Sequence, residues 1–333
     1  MAKKLVKEED EKALSAIDKM YAKYKKTDQI FEAPKSLEDI DTSVERLKNP
    51  FLSFDRYLGG APAYGKITTY SAFASCGKTS LALAIAGANK DKVIGFCDNE
   101  FNWSDSSYLW IDKYFGIEKE RIHVLQPTYL EEGAEMVEDL CTVADIVIFD
   151  GFDSLAPKGE YQATMEEQQM GLQARAYKKF FRRSMGKIYK SKAALVVTNH
   201  LYENIGNVFE PFKEPGGRSI HDFASQKLYL TRSNVKDKEK NTVGQEVNVT
   251  VNKDKLSGNR GAKFSLPYDN RLGFDIEMDI LNNAIDLGLV KVSGSWYSYG
   301  DTKIGQGKDS ARDVLRDNPE FSLELITECK KLF

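Results

Sequence analysis

Cysteine is scarce in this chain. Cys76, Cys97, Cys141 and Cys329 are the four it has, they lie far apart, and none forms a Cys-x-x-Cys pair or stands beside a histidine cluster. That spacing excludes a zinc ribbon and a disulfide framework and suits a reducing compartment, so a cytoplasmic location is expected. Long apolar runs are missing as well: no stretch is long enough to span a bilayer, no signal peptide is recognisable, and no membrane partner is expected. Nor does one charge dominate. Lys plus Arg number 47 against 50 Asp plus Glu, a net charge of −3, so any nucleic-acid binding has to come from local patches. Internal repeats and low-complexity tracts are absent too. What remains is an ordinary globular composition in 333 residues, enough for a large core with appendages.

The densest chemistry lies in residues 67–80, Ile-Thr-Thr-Tyr-Ser-Ala-Phe-Ala-Ser-Cys-Gly-Lys-Thr-Ser. An extended, β-branched run turns through small residues into Leu81–Ala86, which reads as a helix. Strand, loop, Gly-Lys-Thr, helix is the order a phosphate-binding loop requires. The loop and the helix start, with Ala72, Ser75, Cys76, Gly77 and Ser80 as candidate contacts, would turn backbone N–H groups and a positive helix end toward a polyphosphate. Lys78 adds a point charge for the β and γ phosphates, and the hydroxyl of Thr79 is a candidate Mg²⁺ ligand. One position departs from the pattern: Ala72 stands where the first glycine belongs, which matters if the backbone there needs a positive φ. The competing reading is a Gly-Lys-Thr that simply starts a helix.

Two further apolar strands end in acids. Val93–Asp98 runs into Asn99-Glu100, and a carboxylate at the C-terminal edge of an open α/β sheet lies where ligands bind. Glu100 is therefore a candidate to polarise an attacking water, or else a helix-capping acid. Ala144–Asp150 ends in Asp150, a candidate Mg²⁺ carboxylate whose weight comes from its pairing with the upstream loop. Residues 159–172 read as a polar surface loop. A helix from Ala174 to about Lys190 follows, with seven cations and no acid, either a solvated face or a phosphate-backbone footprint. A third buried strand, Ala194–His200, leads into 201–219, Gly/Pro-rich and without periodicity, which reads as a binding loop. Strands are expected at 227–232, 246–256 and 262–268, with Lys253 and Lys255 exposed on one face. At the front, Leu5, Leu14, Ile17, Met20, Tyr21 and Tyr24 predict an amphipathic helix, and Gln29–Ala33 a short strand. From about 274 a helix, an aromatic hairpin (Ser295–Tyr299) and a helical pair broken at Pro319 make a small α/β appendage.

The order of these motifs resembles the bacterial RecA recombinase family. The closest stretches are Gly171-Leu172 through Arg175, Asn199, Gly216-Gly217, and Gly294-Ser295-Trp296-Tyr297-Ser298-Tyr299 with Lys303-Ile304-Gly305-Gln306-Gly307-Lys308. The resemblance implies an α/β fold with a P-loop NTPase core: a mostly parallel twisted sheet flanked by helices. It divides the chain into a polymerisation helix and strand (1–35), an ATPase core (36–273) and a C-terminal lobe that captures duplex DNA (274–333). The implied activity is that of an ATP-dependent recombinase, a DNA-dependent ATPase using ATP and Mg²⁺. Such a protein forms a helical filament with itself on single-stranded DNA and exchanges strands with homologous double-stranded DNA. A single-strand-binding protein and loading mediators are further candidate partners.

By the same resemblance, Lys78, Thr79, Glu100 and Asp150 take the phosphate, metal, catalytic and Walker-B roles. Asp105 and Tyr108 would contact adenine, Tyr268 would stack on the base, and Lys253 and Lys255 would reach the γ-phosphate held by a neighbouring subunit. The DNA loops would be 159–172 and 201–219. In them Met170 and Ile205 would wedge between bases, with Gly171, Arg175, Arg182, Asn204, Gly216, Gly217 and Arg218 along the strand, and Lys303 and Lys308 on the duplex. His200 stands where bacterial members carry a glutamine that senses the γ-phosphate. It is similar to phage UvsX-type recombinases, so a phage-encoded member is expected, with a relay sensitive to pH. Asp222 replaces an interface aromatic. Two other functions fit parts of the pattern: a RecA-fold ring helicase or motor, and a DNA-coating filament with little hydrolysis.

Overall fold

Residues 67–72 are apolar, β-branched or small at every position, the composition of a strand covered on both faces. In the computed structural model of the protein they form β1 (Ile67–Ala72), with all six residues buried. The structure describes residues 19, 43–164, 171–206, 212–215, 217–236, 239–240, 242–269 and 273–333. The chain divides into two compact units, Met1–Val44 and Glu45–Phe333. In the first, residues 19, 43 and 44 are described; the expected N-terminal helix and strand lie outside the described residues. All elements below belong to the second.

A short helix, α1 (Leu52–Leu58), precedes β1. Then come α2 (Lys78–Ala88), β2 (Ile94–Asp98), α3 (Asp105–Phe115), β3 (Ile122–Leu125), α4 (Leu130–Val143) and β4 (Ile146–Asp150). Next are α5 (Lys158–Gln162), α6 (Leu172–Ser191), β5 (Ala194–His200), β6 (Tyr202–Glu203), β7 (Phe212–Lys213) and α7 (Ser219–Phe223). The core ends with β8 (Gln226–Lys236), β9 (Thr242–Asp254), β10 (Lys263–Asp269) and β11 (Gly273–Phe274). Among the described residues the main sheet has nine strands in the order β11-β10-β9-β8-β1-β5-β4-β2-β3. The pairings from β8 across to β3 are all parallel, whereas β8–β9, β9–β10 and β10–β11 are antiparallel. Alternation sends Phe96, Ile148 and Val196 to one face, packed with Leu81, Leu83 and Ile111 of α2 and α3. Cys97, Phe149 and Val197 go to the other, packed with Val137 of α4 and Phe180 and Phe181 of α6. This is the doubly wound arrangement whose ligand crevice lies at the C-terminal ends of the parallel strands.

The C-terminal lobe comprises α8 (Ile276–Asp286), β12 (Val290–Ser293), β13 (Trp296–Tyr299), β14 (Thr302–Gln306), α9 (Lys308–Asp317) and α10 (Pro319–Lys330). Its own core gathers Leu281, Ala284, Ile304, Leu315 and Leu325, and Leu52 of α1 joins it. The expected aromatic hairpin is thus the centre of a three-stranded antiparallel sheet. The helix expected from Ala174 to Lys190 starts at Leu172 and ends at Ser191. The expected loop 159–172 begins as the short helix α5, and the expected aperiodic stretch 201–219 holds a β6–β7 pair and most of a turn into α7. Among the described residues no helix is long and apolar enough to cross a membrane.

Candidate active site

Four parallel strands, β1, β2, β4 and β5, deliver polar residues to one edge. At the end of β1 the chain turns through Phe73–Cys76 and enters α2 at Gly77, whose φ of 84° is a conformation glycine adopts without strain. Ser75 sits at φ 58° without that freedom. Ala72 is the last residue of β1 and fully buried, so the missing glycine falls at an extended position where a methyl group fits. Lys78 is 7% exposed, and its ammonium donates to the Phe73 carbonyl at 3.3 Å across the loop. The Thr79 hydroxyl lies 2.9 Å from each carboxylate oxygen of Asp150 at the end of β4. Thr198 of β5 donates to the same carboxylate at 2.7 Å and accepts from the Gly151 N–H at 2.8 Å. Burial pushes the Asp150 carboxyl up to about 6; the Thr198 and Thr79 hydrogen bonds work against this, while Glu100 and Asp98 add to it.

Such a pair suits Mg²⁺. Bonds of about 2.0–2.1 Å in an octahedron set adjacent ligand oxygens about 2.9 Å apart. A dication would also relieve the cost of a buried carboxylate. Among the described residues no three His, Cys, Asp or Glu side chains group as a metal site. A cation here would therefore take phosphate and water oxygens besides Thr79 and Asp150, as Mg²⁺ does in nucleotide sites.

Glu100 is aimed by the turn after β2. Asp98, fully buried, accepts from the N–H groups of Glu100 and Trp103 at 3.2 Å each and from the Gln126 amide at 2.9 Å. Phe101 follows in the left-handed region at φ 55°, a strained turn for a residue with a Cβ. Gly151, at φ 68°, leaves room for the acid: a Cβ there would stand 2.6 Å from Glu100 Cγ. Across the crevice, His200 Nε2 lies 3.7 Å from Glu100 Oε1. Its Nδ1 is 3.0 Å from Asp153 Oδ1, and its backbone N–H donates to that same oxygen at 3.2 Å. The Asp153 hydrogen bond is the main reason the His200 imidazole stays protonated above its usual range; burial and Lys78 oppose it, and Glu100 assists.

A cleft of about 210 Å³ adjoins the loop, lined by Ser75, Cys76, Gly77, Ser80, Arg232, Val247 and Tyr268. The Arg232 guanidinium lies 5.7 Å from the Tyr268 ring centre, and Phe274 meets that ring edge-on. Tyr108 of α3 is not part of this lining; its ring meets the ammonium of Lys119, which lies beyond that helix, at 5.7 Å. Asp105 starts α3, and the structure does not describe its side chain.

The other expected residues are elsewhere. Lys253 is half-buried rather than exposed: its ammonium donates to the carbonyls of His221 and Asp222 on α7. Burial, then neighbouring Lys255, pull it down to about 8. Lys255 is exposed just past β9. Of the cations on α6, Arg183 and Lys187 bond the buried Glu138 of α4 at 3.2 and 2.8 Å, so these two hold the helix in place. Arg175 and Arg182 remain at the surface. Gly171 caps α6, and Gly217 and Arg218 enter α7 with Gly217 beside Ala174, which sets the entry to α7 against the first turn of α6. Ile205 is 94% exposed next to Asn204, an apolar side chain with no core to serve. Met170 and Gly216 lie outside the described residues. In the lobe, the Lys303 ammonium sits 4.5 Å from the Trp296 ring centre, and Lys308 opens α9 at the surface. Asp98, Asp153 and Thr198 escaped the sequence reading; the signal for each was a polar residue at or just past the end of an apolar strand.

A family model described as the RecA N-terminal domain matches residues 9–273, and one described as the RecA C-terminal domain matches 278–333. The chain is 34% identical over 331 residues to protein RecA of Aquifex pyrophilus, covering 97% of this chain and 91% of that protein. Against protein RecA of Aquifex aeolicus it is 34% identical over 323 residues, 95% of this chain and 90% of the other. Protein RecA of Bacteroides thetaiotaomicron is 34% identical over 275 residues, 80% of this chain and 81% of its own length.

Proposed function

The chain belongs to the RecA family, and from that premise we propose that it is an ATP-dependent homologous recombinase. It polymerises on single-stranded DNA, pairs that strand with homologous duplex and exchanges the two, hydrolysing ATP between subunits in the cytoplasm. The observation that carries this reading is the convergence on one sheet edge of Lys78, the Thr79–Asp150 pair at 2.9 Å and the Glu100–His200 pair at 3.7 Å. Lys78 binds the β and γ phosphates; Thr79 and Asp150 hold Mg²⁺, which neutralises phosphate charge when bound. Glu100 orients and deprotonates the attacking water, and His200 reports the γ-phosphate to the loop beyond it.

The base stacks on Tyr268 in the cleft beside the loop, with Asp105 and Tyr108 as further adenine contacts. Lys253 and Lys255 act on ATP held by the neighbouring subunit. Ile205 and Met170 wedge between bases, while Arg175, Arg182, Arg218 and the adjacent glycines follow the phosphates. Residues 1–35 are the polymerisation arm, 36–273 the ATPase core, and 274–333 the lobe that gathers duplex through Lys303 and Lys308.

Electron microscopy of the protein with single-stranded DNA, Mg²⁺ and a non-hydrolysable ATP analogue tests this. Nucleotide-dependent helical filaments are expected. Closed rings would favour a motor on the same fold, and filaments without ATP turnover a coating protein.

A further inference from the structure

Asp153 is not among the residues expected from the sequence, yet its carboxylate is 3% exposed and takes three donors. These are the backbone N–H and Nδ1 of His200 and the Tyr202 hydroxyl, the last at 3.3 Å on Oδ2. The turn that carries it is fixed. Phe152 stacks on Tyr177 with ring centres 3.9 Å apart, Tyr177 donates to the Phe152 carbonyl at 2.9 Å, and the Phe152 N–H donates to Thr198 at 3.0 Å. Asp153 thus touches the last residue of β5 and the first of β6 at once, where the strand becomes the expected DNA loop.

The chemistry follows from the proton count. A neutral imidazole carries one N–H, and a carboxylate at Nδ1 claims it. Nε2 would then present a lone pair toward Glu100 and toward any phosphate oxygen, and neither can donate to it. Only the doubly protonated ring satisfies Asp153 on one side and an anion on the other. The charged groups around it are Asp153 from the turn after β4, Glu100 from the turn after β2 and Lys78 from α2, with the Tyr202 hydroxyl on Asp153. Burial alone would raise Asp153; the hydrogen bonds and charge of His200 outweigh it and hold the carboxyl below its usual value, so it stays an acceptor.

We propose that Asp153 is a positioning residue: it keeps His200 doubly protonated with Nε2–H presented beside Glu100, and it ties that ring through Tyr202 to the start of the loop 201–219. This rests on the recombinase reading for what Nε2 addresses, the γ-phosphate, but not for the geometry. Asp153 touches no reacting atom; it acts through His200.

The test uses the full chain with D153N, H200Q and the double variant. Imidazole ¹⁵N spectra of nucleotide-free, histidine-labelled protein contain three side chains, and H200Q identifies the one that matters. In the parent protein the His200 proton should remain on Nδ1 once the ring is neutral; in D153N the tautomers should mix and the titration midpoint fall. ATP turnover on single-stranded DNA should drop about tenfold in D153N, the scale of a lost hydrogen bond to a charged group. In the H200Q background the same change should cost less than about twofold, because positions that act through one another are not additive. Unchanged His200 signals, or equal losses in both backgrounds, would overturn the proposal. D153S repeats both measurements if D153N does not fold. Absence of DNA-dependent turnover in the parent protein would instead defeat the recombinase reading, and the spectra, recorded without DNA or nucleotide, would still decide the role of Asp153.

Discussion

Two places in the molecule concentrate charge, and they are built in opposite ways. At the C-terminal edge of the parallel strands every charge is answered within the chain: Asp150 by Thr79 and Thr198, Asp153 by His200 and Tyr202, Glu100 by the Asn102 amide at 3.0 Å. At the end of β9 like charges face each other. Lys253 stands beside Lys255, only partly offset by Asp222, and its bonds go to backbone carbonyls of α7; Lys227, also near, is paired with Glu214. The first arrangement is preorganised and ready for a cation and phosphates. The second stores positive charge that an anion from outside would relieve. That contrast is the physical argument behind the proposal that the site is completed across subunits.

The largest expected effect separates chemistry from assembly. E100Q should reduce ATP turnover by about 10²–10⁴-fold, the range for a lost general base, while nucleotide-dependent filaments still form. If turnover is unchanged, Glu100 is not the base. K253A and K255A should also lower turnover, by roughly tenfold or more as lost charge-assisted contacts, yet leave nucleotide binding to the isolated subunit intact. Mixing E100Q with the K253A/K255A double variant sharpens the comparison. If the lysines serve a neighbour's site, some interfaces in the mixture regain both halves and turnover rises above that of either protein alone. If they serve their own subunit, mixing restores nothing.

A smaller effect lies in pH. Burial and Lys255 pull Lys253 down to about 8 in the folded chain from its ordinary 10.5. Between those values the unfolded chain binds the extra proton, so this residue makes stability rise with pH across that window. K253M should flatten that part of the stability profile in thermal or denaturant unfolding of the free protein. A bound anion at the pair should flatten it too, since it would keep the ammonium charged; an unchanged slope in K253M would show that the pair is not strained.

The contrast also explains what could be read from the sequence. The strand-edge site was legible because parallel topology turns linear order into proximity: an apolar run followed by Asp150 or Glu100 ends at the same crevice as Gly77-Lys78-Thr79. Lys253 and Lys255 were legible as a pair, and Lys255 is exposed as expected, but the half-burial of Lys253 was not legible. A bulge between β8 and β9 pairs Lys227 with Lys253 but Leu228 with Val251, and α7 covers the end of the strand. Strict alternation cannot anticipate either. Arg183 and Lys187 looked like their neighbours on α6; the acid that claims them, Glu138, is some 45 residues upstream. Asp153 was missed because its partners, His200 at the end of β5 and Tyr202 at the start of β6, lie nearly fifty residues further along the chain.

The smallest prediction concerns the phosphate loop itself, where the departure from the family pattern suggested weakness at Ala72. The structure places the strain elsewhere. Ala72 is extended and buried, so A72G removes a packed methyl and adds chain entropy in the unfolded state, lowering stability by about 1 kcal/mol. Nucleotide affinity should stay within about twofold, a difference under about 0.5 kcal/mol. Ser75, at φ 58°, holds a left-handed conformation that costs an L-residue about 1–2 kcal/mol. S75G relieves that cost against a smaller entropic loss, for a net gain of up to about 1 kcal/mol. Opposite signs for the two substitutions in one denaturant titration would locate the loop's strain at its crown. The same sign for both would mean that the loop relaxes around whichever residue is changed, and the preorganisation argued for this edge would then reside in Asp98, Gly151 and Asp153 rather than in the loop.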